Sequence, residues 1–309
     1  MLFFLRKQKN GEESMDKKIS AVFLLIGLIT GIAIGYFAAP RPSDTQSTEL
    51  TGTIVVKGSD TLLIVAQRWA EEFMTLNPKV NIQVAGGGTG TGFVALKDKT
   101  TDIADASREI KTSEVESCKA RGVNPVEWTV GLDGISIVVN PSNPVTSLSM
   151  TQLEMIYNGT YTNWSEVGGN NAPIVTYGRQ STSGTYEFFR EHVLHNKDFR
   201  SDNRELAGNA EIVQSVQGDA NGIGYVGVAY TKQGVNVKVI GISSSSTTVY
   251  QPTIANIKSG AYPIARKLYI YTDGTPEDLL GQYVAFILGP QGQEILEEVG
   301  YVSTTKLET

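Results

Sequence analysis

From Thr53 onward, apolar and polar residues follow two alternating rhythms. "TIVV" (53–56) is a short β-branched run. After "KGSDT", Leu62, Val65, Ala66, Trp69, Ala70 and Phe73 recur at three- and four-residue steps, which describes the single apolar face of a helix. "VNIQVA" (80–85) then predicts a strand, "GGGTGTG" (86–92) a loop, and Phe93 to Leu96 the opening of a short helix. "DIADASREI" (102–110) repeats the plan and leads into a helix over 112–121. "VEWTV" is followed by "GLDGISIVVNPSNPV", a β-branched strand stopped by Asn140-Pro141. "PIVTYGRQSTSGT" (173–185) runs from strand through loop into a helix with Tyr186, Phe189 and Val193 on one face, and "GIGYVG" and "VKVIGI" read as buried strands around a short helical turn. Strands alternating with helices predict an α/β fold with mostly parallel strands and right-handed crossovers.

Near the C-terminus, "TPED" (275–278) places Thr at an N-cap, Pro at N1 and Asp at N3, ahead of Leu280, Val284 and Ile287. A last helix over 291–299 stops at Gly300. Late helices of this kind return to pack on the first part of an α/β chain. The expected organisation is therefore discontinuous, with lobe 1 made of 53–137 and 250–309 and lobe 2 of 138–249.

Composition narrows the chemistry. The 309 residues carry 26 basic against 32 acidic side chains, a net charge of −6, with no clustered basic surface, which argues against a nucleic-acid partner. Cys118 is the single cysteine, so an intrachain disulfide and a multi-cysteine metal site are both excluded. His192 and His195 sit three apart among charged residues and read as a solvated helix end rather than a metal site. No metal and no cofactor is expected.

The N-terminal stretch adds a location. Residues 19–39, "ISAVFLLIGLITGIAIGYFAA", are uncharged and match the ~20 residues of a membrane-spanning helix. Arg6, Lys7, Lys9, Lys17 and Lys18 precede it, so residues 1–18 are expected in the cytoplasm and everything beyond the polar linker 40–52 outside. A cleaved signal peptide is the competing reading, but the run exceeds the usual ~7 to 15 residue core, which favours an uncleaved anchor. Met15 is an alternative start, Gly27, Gly31 and Gly35 form overlapping GxxxG motifs, and Asn158 and Asn163 open sequons compatible with export.

Four loops between a strand and a helix carry the candidate chemistry: "GSDT", "GGGTGTG", "ASRE" and "GRQSTSGT". In open α/β sheets, ligands bind at the carboxyl ends of strands, where the loops feed helix N-termini. Those termini present unsatisfied N–H groups and partial positive charge, hydroxyls add donors without charge, and glycine lets the backbone come close. Arg108 and Arg179 offer planar forks suited to an oxyanion. With three loops in lobe 1 and one in lobe 2, a tetrahedral anion would be gripped from both sides. Enzymatic readings are weaker. "GTGFVA" (90–95) matches a loose dinucleotide fingerprint, no GxxxxGK[ST] occurs, and no G-x-S-x-G elbow accompanies the histidines. Asp98, Asp102 and Asp105 suggest carboxylate chemistry, yet only Asp105 lies near a ligand loop.

With these residues in view, the chain from about 52 to 302 resembles the phosphate-binding proteins of the phosphate ABC transport system, within the periplasmic binding protein family. The likeness is carried by "GSDT", "GGGTGTG", "DIADASREI", "GLDGISIVVNPSNP", "NWSEVGG", "YGRQSTSGTYEFF", "GIGYVG" and "YPIARKLYIYT", in that order. It implies a two-lobe fold (type II) closing on one phosphate in the interlobe cleft, no catalysis, and delivery to a membrane permease. Mapped onto this chain, it implies Ser59, Asp60 and Thr61 in the first loop, Thr89 in the second, Ser107 and Arg108 in the third, and Arg179, Ser183, Gly184 and Thr185 in the fourth. Asp133 would reach the site from the crossover as the carboxylate that senses the phosphate proton, with Asp60 as the alternative. Thr89 stands where many relatives carry serine, and Arg108 where some carry aspartate. A receptor for sulfate, molybdate or tungstate, a phosphate-sensing surface protein of the same fold, and an anchored phosphatase remain open alternatives.

Overall fold

The first β-branched run becomes strand β1 (Gly52–Gly58), and the periodic face after it becomes helix α1 (Leu63–Leu76), which buries Val65, Ala66, Trp69, Ala70 and Phe73. Each large apolar side chain buried in this way contributes roughly 1.5–3 kcal/mol. In this computed structural model, residues 49–232, 234–244 and 248–304 are described. The span expected at 19–39, with the starts at Met1 and Met15, lies outside the described residues. Among those described, no helix is long and apolar enough to cross a membrane.

The plan then repeats as β2 (Val80–Ala85), α2 (Thr89–Lys97), β3 (Ile103–Ala106) and α3 (Thr112–Lys119). Next comes β4 (Pro125–Val139), fifteen residues long, followed by β5 (Ser147–Ser149), α4 (Met150–Tyr157), β6 (Val175–Arg179) and α5 (Gly184–His192). The chain continues through β7 (Arg204–Leu206), α6 (Asn209–Gly218), β8 (Gly222–Gly227), β9 (Lys238–Ser243) and α7 (Ile254–Lys258). It ends with β10 (Ala265–Asp273), α8 (Asp278–Leu288) and α9 (Pro290–Val299).

Among the described residues the strands join in the order β2-β1-β3-β10-β4-β8-β6-β7, with β9 on β4 and β5 on β9. The α/β expectation holds, but "mostly parallel" needs correcting. Parallel pairs form the two wings, β2-β1-β3 and β8-β6-β7. At the centre β10 runs antiparallel to β3 and β4, and β4 runs antiparallel to β8 and β9. The reason is that β4 and β10 carry the chain between the wings in opposite directions. "VEWTV" and "GLDGISIVV" are one strand, whose first part pairs with β10 up to Gly134 opposite Ala265 and whose remainder pairs with β8 from Ile135 opposite Gly227.

Two helix starts also differ from expectation. Helix α2 opens at Thr89, four residues before Phe93, so the threonine itself stands in the first turn. Helix α8 opens at Asp278 with Glu277 as N-cap, because the first bond of the helical ladder is Gly281 N–H to the Glu277 carbonyl, and Thr275-Pro276 stay in the loop. The late helices do return to the first. Trp69 Nε1 donates to the Gly292 carbonyl at 2.7 Å, and Phe73 packs edge-on against Tyr283 and Phe286. Under the other wing Tyr157, Phe189 and Tyr225 cluster, with the Phe189 and Tyr225 rings stacked at 4.1 Å. That stack supports the start of α5.

Candidate functional site

The loops that follow β1, β2, β3 and β6 all end in buried hydroxyls. After β1, Ser59 N–H donates to the Asp105 carbonyl at 2.9 Å, which ties the turn to β3 and buries Ser59 and Thr61. After β2 the three glycines bring the chain to Thr89, fully buried in the first turn of α2. Gly88 there has φ +96°, and a Cβ on it would lie 2.6 Å from the Thr182 carbonyl. Only glycine fits that approach. Ser107 follows β3 directly and is also fully buried. After β6, Ser183 caps α5, its Oγ accepting from Thr185 N at 3.1 Å and Tyr186 N at 3.4 Å.

These loops converge. Ser59 Oγ donates to Ser107 Oγ at 2.9 Å, Ser107 N–H donates to Thr89 Oγ1 at 3.1 Å, and the Thr89 and Ser107 hydroxyls stand 3.4 Å apart. From the other wing, Thr185 Oγ1 meets Thr61 Oγ1 at 2.9 Å, and the Thr182 carbonyl accepts from Gly90 N at 3.0 Å. Gly184 faces the same hydroxyls so closely that a Cβ on it would lie 2.4 Å from Thr89 Oγ1 and 2.6 Å from Ser107 Oγ. The N-terminal ends of α1, α2 and α5 thus meet around Ser59, Thr61, Thr89, Ser107, Ser183, Gly184 and Thr185.

The charged residues expected in the site are differently placed. Arg179, 1% exposed, donates through Nη2 to Asp60 Oδ2 at 2.6 Å and through Nη2 and Nε to the Ala207 carbonyl. Its Nη1 is buried with no hydrogen-bond partner. Its backbone N–H donates to Tyr225 OH at 3.1 Å, which anchors the loop to the aromatic stack. Burial pulls the Arg179 guanidinium below its ordinary value, and the neighbouring Asp60 pulls the other way. Asp60 Oδ1 accepts from Gly87 N at 3.0 Å, so the same carboxylate also holds the glycine loop.

Arg108 is engaged elsewhere. It forms a two-pronged pair with Glu114 at 2.7 and 2.8 Å, donates to the Glu109 carbonyl, and lies 5.2 Å over the Phe93 ring. Burial pushes the Glu114 carboxyl up, but the hydrogen bonds and charges of Arg108 and Lys111 bring it below its ordinary value. Asp133, fully buried, is paired with Arg266, whose Nε and Nη2 reach Oδ2 at 3.0 and 2.8 Å, while Oδ1 accepts from Val228 N at 3.0 Å. Burial pushes Asp133 above the usual carboxylate value, against the pull of Arg266.

Arg266 was not among the residues singled out from the sequence. Besides Asp133, its Nη2 reaches Thr185 Oγ1 at 2.9 Å and Thr61 Oγ1 at 3.3 Å, and its Nη1 donates to the Ser107 carbonyl at 2.9 Å. The available signal was its register. In β10 the residues two and four further on, Leu268 and Ile270, are buried apolar, so period-two alternation puts an arginine on an inward face.

Each of these arginines thus has one carboxylate partner: Arg179 with Asp60, Arg266 with Asp133, Arg108 with Glu114. What the cluster offers beyond these pairs is hydroxyl protons, helix-start N–H groups and the open Nη1 of Arg179. Such a donor set suits an oxyanion. His192 and His195 lie outside it, and among the described residues no group of three or more His, Cys, Asp and Glu is placed to hold a metal ion. Beside the cluster, a pocket of about 420 Å³ is lined by Arg108, Lys111, Phe188, His192, Arg266 and Lys267, among others, and Lys111 Nζ bridges to Glu187 at 2.7 Å.

Comparisons with known proteins fit this geometry. A family model described as a PBP superfamily domain matches residues 43–291. The chain is 31% identical over 298 residues to phosphate-binding protein PstS of Pseudomonas aeruginosa, covering 91% of this chain and 92% of that protein. A crystal structure from Clostridium perfringens, described as a phosphate ABC transporter substrate-binding protein with bound phosphate, superposes with a TM-score of 0.74 at 28% identity, over 82% of this chain and 100% of that one. An ABC-type phosphate transport receptor from Vibrio cholerae superposes with a TM-score of 0.66 at 27% identity, over 81% of this chain and 99% of that one.

Proposed function

The chain belongs to the PBP superfamily, in its phosphate-binding branch, and on that premise we propose that it captures one inorganic phosphate outside the cytoplasm and hands it to the permease of an ABC transporter. The observation that carries the assignment to a site is the meeting of buried donors from both wings, Thr61 against Thr185 and Gly184 against Thr89 and Ser107, beside an arginine whose Nη1 has no partner. Phosphate supplies four acceptor oxygens to such a set.

In this reading Ser59, Thr61, Thr89, Ser107, Arg179, Ser183, Gly184 and Thr185 hold the anion. Asp60 orients Arg179, Asp133 orients Arg266, and Arg108 stands at the edge of the site against Glu114. Residues 53–137 with 250–309 form one lobe and 138–249 the other, and they part along β4 and β10 to admit the ligand. The apolar run 19–39 anchors the protein beside its permease, with residues 1–18 in the cytoplasm. Binding is reversible and nothing is hydrolysed.

A ligand that binds only the folded form stabilises it in proportion to RT ln(1 + [L]/Kd). Thermal melts with phosphate and with sulfate test the reading. Phosphate is expected to raise the melting temperature and sulfate to leave it unchanged; equal effects of the two anions would point to a general oxyanion receptor.

A further inference from the structure

The contacts of Arg266 do not resemble those of a simple anion ligand. Its Nη2 carries two hydrogens yet lies within reach of three acceptors: Asp133 Oδ2 at 2.8 Å, Thr185 Oγ1 at 2.9 Å and Thr61 Oγ1 at 3.3 Å. Thr61 and Thr185 come from opposite wings and stand 2.9 Å apart. A hydroxyl has one proton and two lone pairs, whereas a guanidinium only donates. With one Nη2 hydrogen on Asp133 and the other shared by Thr185 Oγ1 and the more distant Thr61 Oγ1, one threonine proton bridges the two hydroxyls. The other cannot be accepted by the guanidinium, so it is left for an acceptor other than Arg266.

The charge of Arg266 is meanwhile balanced by Asp133, itself fixed by Val228 N–H. The guanidinium is further held by the Ser107 carbonyl at 2.9 Å and by the Phe188 ring, 5.5 Å away. It is a clamped group whose orientation is set from β3, β4 and α5 together.

We propose that Arg266, seated by Asp133, is the positioning residue of the site: it acts through the Thr61 and Thr185 hydroxyls, committing a proton of that pair to the bound anion, and makes no direct contact with the anion itself. The inference rests on the oxyanion reading above. It also explains why an arginine and an aspartate are buried together where the wings meet. As a charged pair they set the donor direction across the closure without adding net charge.

The test is a double-mutant cycle on the full chain, titrated calorimetrically with inorganic phosphate. The paired exchange Asp133→Asn with Arg266→Gln removes both charges together, so that neither is left buried alone. Thr61→Val with Thr185→Val removes both hydroxyls at nearly constant shape. Each pair is expected to raise Kd by roughly tenfold or more. All four changes together are expected to be no worse, within about twofold, than the threonine pair alone, because residues acting through one another are not additive.

A loss from the arginine pair that persists in full without the threonines would overturn the inference, since Arg266 would then touch the anion. No loss from the arginine pair would overturn it as well. Arg266→Lys, which keeps the charge, guards against a folding failure: an ammonium gathers its three donors at one point and cannot hold the Asp133 fork and the Ser107 carbonyl while also reaching the threonines, so Kd should still rise, and unchanged affinity there contradicts the proposal. A wild-type chain that takes up no phosphate removes the functional reading and this inference together, whereas additive losses in a chain that binds remove the inference alone.

Discussion

Arg179 and Asp60, 119 residues apart in the chain, meet at 2.6 Å and tie the strand end of β6 to the turn that opens α1. Asp60 and the Ala207 carbonyl take Nη2 and Nε, which leaves Nη1 buried and unpaired. Removing a charged hydrogen-bond partner from a dry site costs on the order of 2 to 5 kcal/mol. Arg179→Ala should therefore raise the phosphate Kd by more than about thirtyfold, and Arg179→Lys should recover only part, since a point charge cannot reproduce a planar fork. Calorimetry on both variants decides; near-normal affinity in the alanine variant would place Arg179 outside the site.

Selectivity depends on which carboxylate faces the anion. Phosphate near neutral pH carries a proton that a carboxylate can accept, and sulfate carries none. The sequence favoured Asp133 for this role, but its Oδ2 is bound twice by Arg266 and its Oδ1 by Val228 N–H. Both oxygens of Asp60 are engaged as well, Oδ1 by Gly87 N–H and Oδ2 by Arg179, but its partner is the arginine proposed to hold the ligand, which sets Asp60 beside the anion. Asp60→Asn is accordingly expected to narrow the phosphate-to-sulfate ratio, because an amide can turn a donor toward sulfate. Asp133→Asn should weaken both anions alike by unseating Arg266. If only Asp133→Asn changes the ratio at fixed pH and ionic strength, the roles are reversed.

Asp105 gives a pH signature. Burial raises its carboxyl from 3.8 to about 8. Below the unfolded value the group is protonated in both states and costs nothing. As pH rises from there toward about 8, the unfolded chain ionises while the folded one keeps its proton, so stability falls across that window and levels off above it. Asp105→Asn removes this loss. Melting curves should show the variant gaining more at about pH 8 than at about pH 5; parallel shifts at the two pH values would mean that Asp105 does not hold its proton.

Lys111 and Glu187 form a 2.7 Å ion pair beside the pocket, joining the start of α3 to α5, and Lys111 is well exposed. Pairs of this kind are worth about 0.2–1 kcal/mol. Lys111→Ala should speed phosphate release by only about two- to fivefold at low salt, and the difference should fade as salt shortens the screening length. Exchanging the two charges should restore the slower release. Stopped-flow release rates across a salt series check this, and a large, salt-independent change would show that the lysine does more than bridge.

The parts of this architecture that were legible in the sequence are those decided locally. The periodic face from Leu62 to Phe73, the strand at Val80–Ala85 and the Ser183 start of α5 each follow from a few neighbouring residues. So does the delivery of hydroxyls to strand ends. What was not legible is non-local. Arg108 has a short-range competitor in Glu114, which also caps Lys111 N–H, and no loop motif says which partner it takes. Arg266 finds Asp133 across 133 residues, because β10 lies antiparallel to β4 in a register that sets the two opposite each other. The central antiparallel strands were missed for the same reason: strand direction is set by sheet order, and each strand's own pattern reads alike either way.

One phosphate is proposed to be held by the buried hydroxyl and arginine cluster, and the most direct measurement is a calorimetric titration of the full chain with inorganic phosphate. The predicted result is a saturable heat with one site per chain that disappears, or weakens by more than about thirtyfold, in Arg179→Ala. A flat titration of the wild-type chain, or an unchanged one in Arg179→Ala together with Thr61→Val and Thr185→Val, would contradict it.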